Sequence, residues 1–279
     1  FAYLTNIEKL DLSKLDTTYI TNMSRMFYNS SGLKSINLSN FNTSNVTNMN
    51  YMFSECNNLL SLDLSNFDTS KVTAMVGMFQ NDTNLSSINF GSDFNTEKVT
   101  TMIAMFSLCK KLSYIDLSEF KNLTTVALSG DIIEVKGLDK LKELTRCQIY
   151  NSGNKHITNI EGLKNLSTKL TSATFNGVNI GSIGTDTNLL DCSELRLLSI
   201  DSNALHDING IEKLGKLETL RLYNGQLENI GKISELSNLT ELALSGNKLS
   251  DVSGIEKLTN LNQLSLFNNK LTAIPDITG

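Results

Sequence analysis

One phrase returns four times in the first 120 residues. It reads "YITNMSRMFYNSSGL" at 19–33, "NVTNMNYMFSECNNL" at 45–59, "KVTAMVGMFQNDTNL" at 71–85 and "KVTTMIAMFSLCKKL" at 98–112. Ile7, Leu33, Leu59 and Leu85 follow one another at 26 residues, and Leu112 follows after 27, the extra residue lying in "FGSDF" (90–94). All eight methionines fall in this set, as Met23/Met26, Met49/Met52, Met75/Met78 and Met102/Met105. A second set, at Leu195, Leu217, Leu239 and Leu261, has a period of 22. Residues 123–194 keep the spacing loosely, with phase points near Leu123, Leu144 and Leu170. Repeats of this length are single structural units that bury their apolar residues only by stacking on copies of themselves.

Both sets contain L-x-x-L-x-L, as in "LLSLDLSNF" (59–67) and "LTELALSGNKL" (239–249). The L-x-L part alternates, as a strand with one buried face should. About twelve strands are predicted, near positions 10, 36, 62, 88, 115, 126, 147, 173, 198, 220, 242 and 264. In the long units Val46, Met49, Met52 and Phe53 sit at helical spacing, with Ser/Thr upstream as N-caps, which predicts a short helix. In the short units "LSDVSGIEKLTNL" (249–261) has apolar residues at every third position, which suits a 3₁₀ turn. Packing is the simpler reading of the Met–Phe stripe, since Met fills irregular gaps. A methionine-lined metal or haem site would need a His or Cys partner nearby.

These phrases carry a family resemblance. "LDLSNFDTSKVTAMVGMF" (62–79) resembles the BspA-type leucine-rich repeat, over residues 7–120, and "LTELALSGNKLSDVSGIEKL" (239–258) resembles the internalin-type 22-residue repeat, over roughly 195–275. The resemblance implies an α/β leucine-rich repeat solenoid, curved, with a parallel sheet on its concave face and short helices and 3₁₀ turns on its convex face. It further implies a bacterial surface or secreted protein that binds other proteins or host surfaces, as an adhesin does. Asn203, Asn247 and Asn269 match the family's buried asparagine ladder. Gly225 departs from it, with Asn224 one place early, so that coil is expected to be locally distorted. One continuous domain is expected over 1–279, in three stretches: 1–122, 123–194 and 195–279. A change of curvature is expected near 145–194.

The charge balance narrows the partners. The net charge is −5, and residues 1–120 carry 8 basic and 11 acidic residues against 16 and 18 in the rest. Neither half offers the basic stripe that a phosphate backbone needs, so no nucleic acid is expected. No run approaches the roughly 18 apolar residues of a membrane span. The opening "FAYLTNIEKL" has neither a basic n-region nor an apolar h-region, so no signal peptide is expected within this segment. Lacking an initiator Met, it reads as a fragment or processed form whose signal or anchor lies elsewhere. A monomer at the cell surface or outside the cell is expected.

Catalysis is not expected. His156 and His206 lie in turn-like text, no Ser or Cys occupies a nucleophile elbow, and no metal or phosphate-binding motif is present. No cofactor is expected either. Cys56 and Cys109 lie two coils apart, about 10 Å at the usual strand spacing, beyond disulfide reach. Cys147 reads as a core residue and Cys192 has no assignable partner, so four free thiols are expected.

The outward strand positions point to a binding face. The residue between the strand leucines runs Asp11, Asn37, Asp63, Asn89, Asp116, then Ala127, Gln148, Thr174, Ser199, Arg221, Ala243, Ser265. Acid alternates with amide in the first half. That avoids stacking like charges and is a simpler explanation than a calcium ladder. The residue after the second leucine is small in the first half but runs Tyr150, Asn176, Asp201, Tyr223, Ser245, Phe267 in the second. The row before the strand shows the same contrast, Ser35, Ser61 and Ser87 giving way to Tyr114, Arg146, Leu197 and Glu241. The candidate partner-binding residues are therefore Tyr114, Arg146, Tyr150, Leu197, Asp201, Arg221, Tyr223, Glu241 and Phe267. Aromatic residues and Arg are the types enriched at binding hot spots, and a protein or glycan ligand is expected. Random variation at exposed positions remains the competing reading. At the level of function the alternatives are a structural spacer or the carbohydrate-binding arm of a larger enzyme.

Overall fold

The computed structural model describes residues 1–92, 94–99, 102–151, 157–159 and 161–274. Thirteen strands lie among them: β1 (Lys9–Asp11), β2 (Ser35–Asn37), β3 (Ser61–Asp63), β4 (Ser87–Asn89), β5 (Tyr114–Asp116), β6 (Thr125–Gly130), β7 (Glu134–Lys136), β8 (Arg146–Asn151), β9 (Ser172–Asn176), β10 (Leu197–Asp201), β11 (Thr219–Tyr223), β12 (Glu241–Ala243) and β13 (Gln263–Ser265). They belong to two compact units. One is Phe1–Glu143 with Asn151–Lys155, the other Leu144–Tyr150 with His156–Gly279. Each is a parallel β-solenoid.

In the N-terminal unit the L-x-L strands are three residues long and pair in parallel, Leu10 opposite Ile36 and Leu62 opposite Ile88. They stop early because the third residue turns the chain. The side chains of Asp11, Asn37, Asp63, Asn89 and Asp116 accept the backbone N–H two residues on, at 2.9–3.2 Å, an Asx turn. The backbone N–H of Ser13 thereby holds the Asp11 carboxyl below its ordinary pKa. The amide rungs also serve the acidic ones, since Asn89 Nδ2 donates to Asp63 Oδ1 at 3.1 Å.

The Met–Phe stretch is buried as its spacing predicts, but it is not helical. Arg25, Tyr51, Gly77 and Ala104 have φ of 55–58°, and Asn29, Glu55, Asn81 and Leu108 have φ of 52–67°. A left-handed residue at every fourth position breaks any i→i−4 ladder. The N–H groups turn outward to the next coil instead: Met49, Tyr51, Phe53 and Glu55 donate to the carbonyls of Ala74, Val76, Met78 and Gln80 at 2.8–2.9 Å. The upstream threonines cap nothing. Thr43 Oγ1 donates to Asp68 O at 2.8 Å and Thr69 Oγ1 to Asn95 O at 2.6 Å, again on the following coil. Inside this second ladder Phe27, Phe53, Phe79 and Phe106 form a column, neighbouring rings 5.3–5.9 Å apart and within 15° of parallel.

The strand count also needs correcting. β7 was not foreseen, and it is β7, not β6, that pairs with β5, placing Tyr114 opposite Glu134 and Asp116 opposite Lys136. β6 lies against the Met–Phe ladder, where Leu108 N donates to Ser129 Oγ at 3.3 Å and Ser129 Oγ donates to Ser107 Oγ at 3.2 Å. The row read from Asp116 into Ala127 is therefore not continuous. "TTVALSGDIIEVKGL" (124–138) holds two short apolar alternations, and alternation alone does not say on which column a strand stacks. Where β7 ends, Gly137 is required. Its φ is 80°, and a Cβ there would lie 2.3 Å from Ser118 N.

In the C-terminal unit β8 to β13 pair in parallel and in chain order. Cys147, Ile149, Leu198, Ile200, Leu220 and Leu222 point inward with at most 1% exposure. The coils return through the expected 3₁₀ turns, at Leu189–Asp191, Ile211–Lys213, Ile233–Glu235 and Ile255–Lys257. Asn247 and Asn269 make the buried rungs: Asn247 Nδ2 donates to Leu222 O and Leu244 O at 2.8 and 2.9 Å, and Asn269 Nδ2 to Leu244 O and Leu266 O, both at 2.9 Å. Asn203 does not join them. It is exposed, and the neighbouring Ser202 is buried in its place, donating to Ile180 O at 3.3 Å. The expected distortion lies at Asn224, with φ 52°. Gly225 beside it must lack a Cβ, which would come within 2.7 Å of Asn247 Oδ1.

Candidate functional site

The outward face of β8–β13 presents three parallel rows. Arg146, Ser172, Leu197, Thr219, Glu241 and Gln263 stand in register, as do Gln148, Thr174, Ser199, Arg221, Ala243 and Ser265. Tyr150, Asn176, Asp201 and Tyr223 form the third. Because every second residue is locked into the core, these side chains are held on a rigid scaffold.

Arg221 is the best-fixed group of the face. Its Nε and one terminal nitrogen reach the two oxygens of Glu241, one strand on, at 2.6 and 2.8 Å. This fork-on-fork pairing directs both groups, and Glu241 holds the guanidinium pKa above its ordinary value. Tyr150 and Tyr223 stand in the third row of the same face. Tyr150 is 43% exposed, while Tyr223 is half-buried. Asp201 is oriented by neighbours that sequence reasoning missed: Asn224 Nδ2 donates to its Oδ1 at 2.9 Å and Asn176 Nδ2 to its Oδ2 at 3.5 Å. Nothing in the residue order announces the Asn224 contact, which depends on that residue's left-handed backbone.

The remaining candidates divide. Arg146 is exposed and Leu197 half-buried on the same face. Phe267 is 65% exposed, but it adjoins Leu264, Leu266 and Leu271, which are themselves half-exposed on the last coil. Tyr114 lies in the other unit, on β5, where Lys136 Nζ sits 5.3 Å from its ring centre and Asp116 Oδ2 accepts its hydroxyl at 3.3 Å.

Elsewhere the chemistry is sparse. His156 lies outside the described residues. His206 is exposed, with Nδ1 3.0 Å from Ala204 O. Asp207, next to it, accepts Ser182 Oγ at 2.8 Å. Among the described residues no group of three or more His, Cys, Asp or Glu is placed to hold a metal ion, and no helix is long and apolar enough to cross a membrane. All four cysteines are free and buried. Burial pushes the thiols of Cys147 and Cys192 up to about 12, and those of Cys56 and Cys109 higher still. Thiolate is the reactive form, so a disulfide-exchange reagent should titrate almost nothing in the native protein within minutes. In denaturant without reductant it should titrate four thiols; two or fewer would mean that disulfides form.

Two family models match parts of the chain. One, described as "Mycoplasma protein of unknown function, DUF285", covers residues 1–120. The other, "Leucine Rich repeats (2 copies)", covers residues 237–279. No curated protein matches. Among solved structures, an internalin (InlF) of Listeria monocytogenes is similar at 24% identity, covering 89% of this chain and 77% of that one with a TM-score of 0.52. Internalin C2 of the same organism is similar at 26% identity, covering 57% of this chain and 67% of that one with a TM-score of 0.50. The fold is a leucine-rich repeat solenoid, with internalin-like neighbours.

Proposed function

We propose that this chain is a non-catalytic protein-binding module of a bacterial cell-surface or secreted protein, acting in adhesion or partner recognition. The observation that carries the reading is the contrast between its two strand faces. In the N-terminal unit the outward Asp and Asn side chains are engaged in their own Asx turns. In the C-terminal unit the equivalent face offers Tyr150, Tyr223 and a directed Arg221–Glu241 pair. A partner docks across Tyr150, Asp201, Arg221 and Tyr223, with Arg146, Leu197 and Phe267 at the margins. The similarity to internalins supports the fold on which this face is built. The regular Asx rungs of the N-terminal unit favour a second reading, in which that part is a spacer presenting the rest.

The test is titration of the purified chain against candidate protein or glycan ligands by surface plasmon resonance. Tyr223→Ala should weaken binding by about 1–3 kcal/mol, the range of a hot-spot truncation. Ser65→Ala, on a rung of the other unit, should change it by almost nothing. Equal and negligible losses at the two positions would remove the C-terminal face from the binding site.

A further inference from the structure

A column of four polar positions runs through the N-terminal unit beside its stacked phenylalanines: Ser30, Cys56, Asp82 and Cys109, spaced 26, 26 and 27 residues apart and at most 2% exposed. Three of them make the same bond. Ser30 Oγ donates to Phe1 O at 3.0 Å, Cys56 Sγ to Phe27 O at 3.2 Å and Cys109 Sγ to Phe79 O at 2.9 Å. In each case the acceptor is the phenylalanine carbonyl of the preceding coil. The same backbone carbonyls also take a turn N–H: Phe27 O from Ser30 at 3.2 Å, Phe53 O from Cys56 at 3.2 Å and Phe79 O from Asp82 at 3.3 Å. The register leaves Phe53 O as the carbonyl that Asp82 should serve.

Asp82 differs from its neighbours in the column only in lacking a proton to donate when it is ionised. Its Oδ1 accepts Cys56 N–H at 2.8 Å, whereas its Oδ2 is buried with no partner. Among the described residues the titratable groups that act on it are Cys56, Cys109 and Glu55, none of which supplies a positive charge. A buried carboxylate without a cation or a second donor is costly, and protonation removes both problems at once. We propose that Asp82 is carried in the fold as a neutral carboxylic acid whose Oδ2–H donates to Phe53 O, so that the N-terminal solenoid is strengthened by acid and weakened by alkali. Burial, which pushes the Asp82 carboxyl well above its ordinary pKa, acts in the same direction.

The sign follows from proton counting. Above the ordinary carboxylate value, near 4, the unfolded chain has lost the proton that the folded one keeps, so the folded state binds one more. Stability is complete below that value and falls as the pH rises toward the raised folded one, at about tenfold in the folding constant per pH unit. The surface Asx carboxylates, whose pKa values are lowered, lose their contribution only at more acidic pH, outside this window.

Asp82→Asn is the informative variant, because its amide can accept at Oδ1 and donate from Nδ2 without a proton equilibrium. Urea unfolding of the full chain at pH 5, 6, 7 and 8 should show the variant gaining on the wild type by about tenfold per unit across the window. A ratio constant from pH 5 to 8 would overturn the proposal. The ¹³C carboxyl resonance that Asp82→Asn removes should stay at its protonated position where exposed carboxyls have already titrated; titration near 4 would equally overturn it. If Asp82→Asn does not fold, Asp82→Ser, which installs the residue the column uses at position 30, should show the same gain.

Discussion

Replacing Phe53 with Ala is expected to destabilise the protein by about 3–5 kcal/mol, the cost of emptying a fully packed aromatic site. The ring is 1% exposed and lies between Phe27 at 5.3 Å and Phe79 at 5.9 Å. Met49, Met52 and Met78 of the same ladder are fully buried. Both adjoining coils are held to that of Phe53 by the backbone hydrogen bonds of the Met–Phe ladder, and the following one also by the β3–β4 pairing, which limits how far either can move in to fill the space. Each stacked pair adds about 0.5–1.5 kcal/mol beyond its buried area, so the loss should fall in the upper half of that range. Tyr19→Ala, at a side chain 89% exposed, should be within about 0.5 kcal/mol of wild type. The check is the shift in urea midpoint for the two variants. A loss below 1 kcal/mol at Phe53 would mean that the column is not the core of its unit.

Asn247→Ala should have an effect of similar size for a different reason. The residue is 7% exposed, and its side chain satisfies three backbone groups: the carbonyls of Leu222 and Leu244 and the N–H of Leu227, the last at 3.2 Å. Alanine leaves Leu222 O and Leu227 N–H without that partner, while Leu244 O keeps Asn269 Nδ2 at 2.9 Å. Each such group costs about 1–3 kcal/mol, and with partial relaxation the expected total is about 3 kcal/mol. Asn203→Ala, at the matching repeat position but exposed, should cost less than about 0.5 kcal/mol. Urea unfolding of both variants distinguishes a bonded rung from a residue that merely sits at the repeat position. Equal losses would contradict the assignment of Ser202, not Asn203, to the buried place.

The comparison of Asn203 with Asn247 shows where the repeat pattern stops being informative. Both stand eight residues after a phase leucine, yet only one is a rung. The difference arises over a single residue of chain path, through Ser202 on one coil and the left-handed Asn224 followed by Gly225 on the next. For the candidate face the pattern served better. Arg146, Tyr150, Leu197, Asp201, Arg221, Tyr223 and Glu241 all lie on the outward side of β8–β12, because strand alternation is a local property. Tyr114 stands on β5 in the other unit, opposite Glu134, a pairing that strand alternation alone does not give.

The sequence by itself determined that the chain is a stack of coils, which residues line its interior, where 3₁₀ turns close the short repeats and why Cys56 and Cys109 are too far apart to be bridged. These follow from spacing, and spacing decides burial whatever path the backbone takes. Only the tertiary structure decided that the Met–Phe stretch runs as left-handed turns, that β7 covers β5, and that Asp82 places one carboxylate oxygen where its column supplies no donor. Each of these turns on the sign of φ at a few residues or on which neighbouring coil a backbone N–H meets. A side-chain pattern carries neither, because the same buried positions are compatible with a helix bonded within itself and with turns bonded to the next coil.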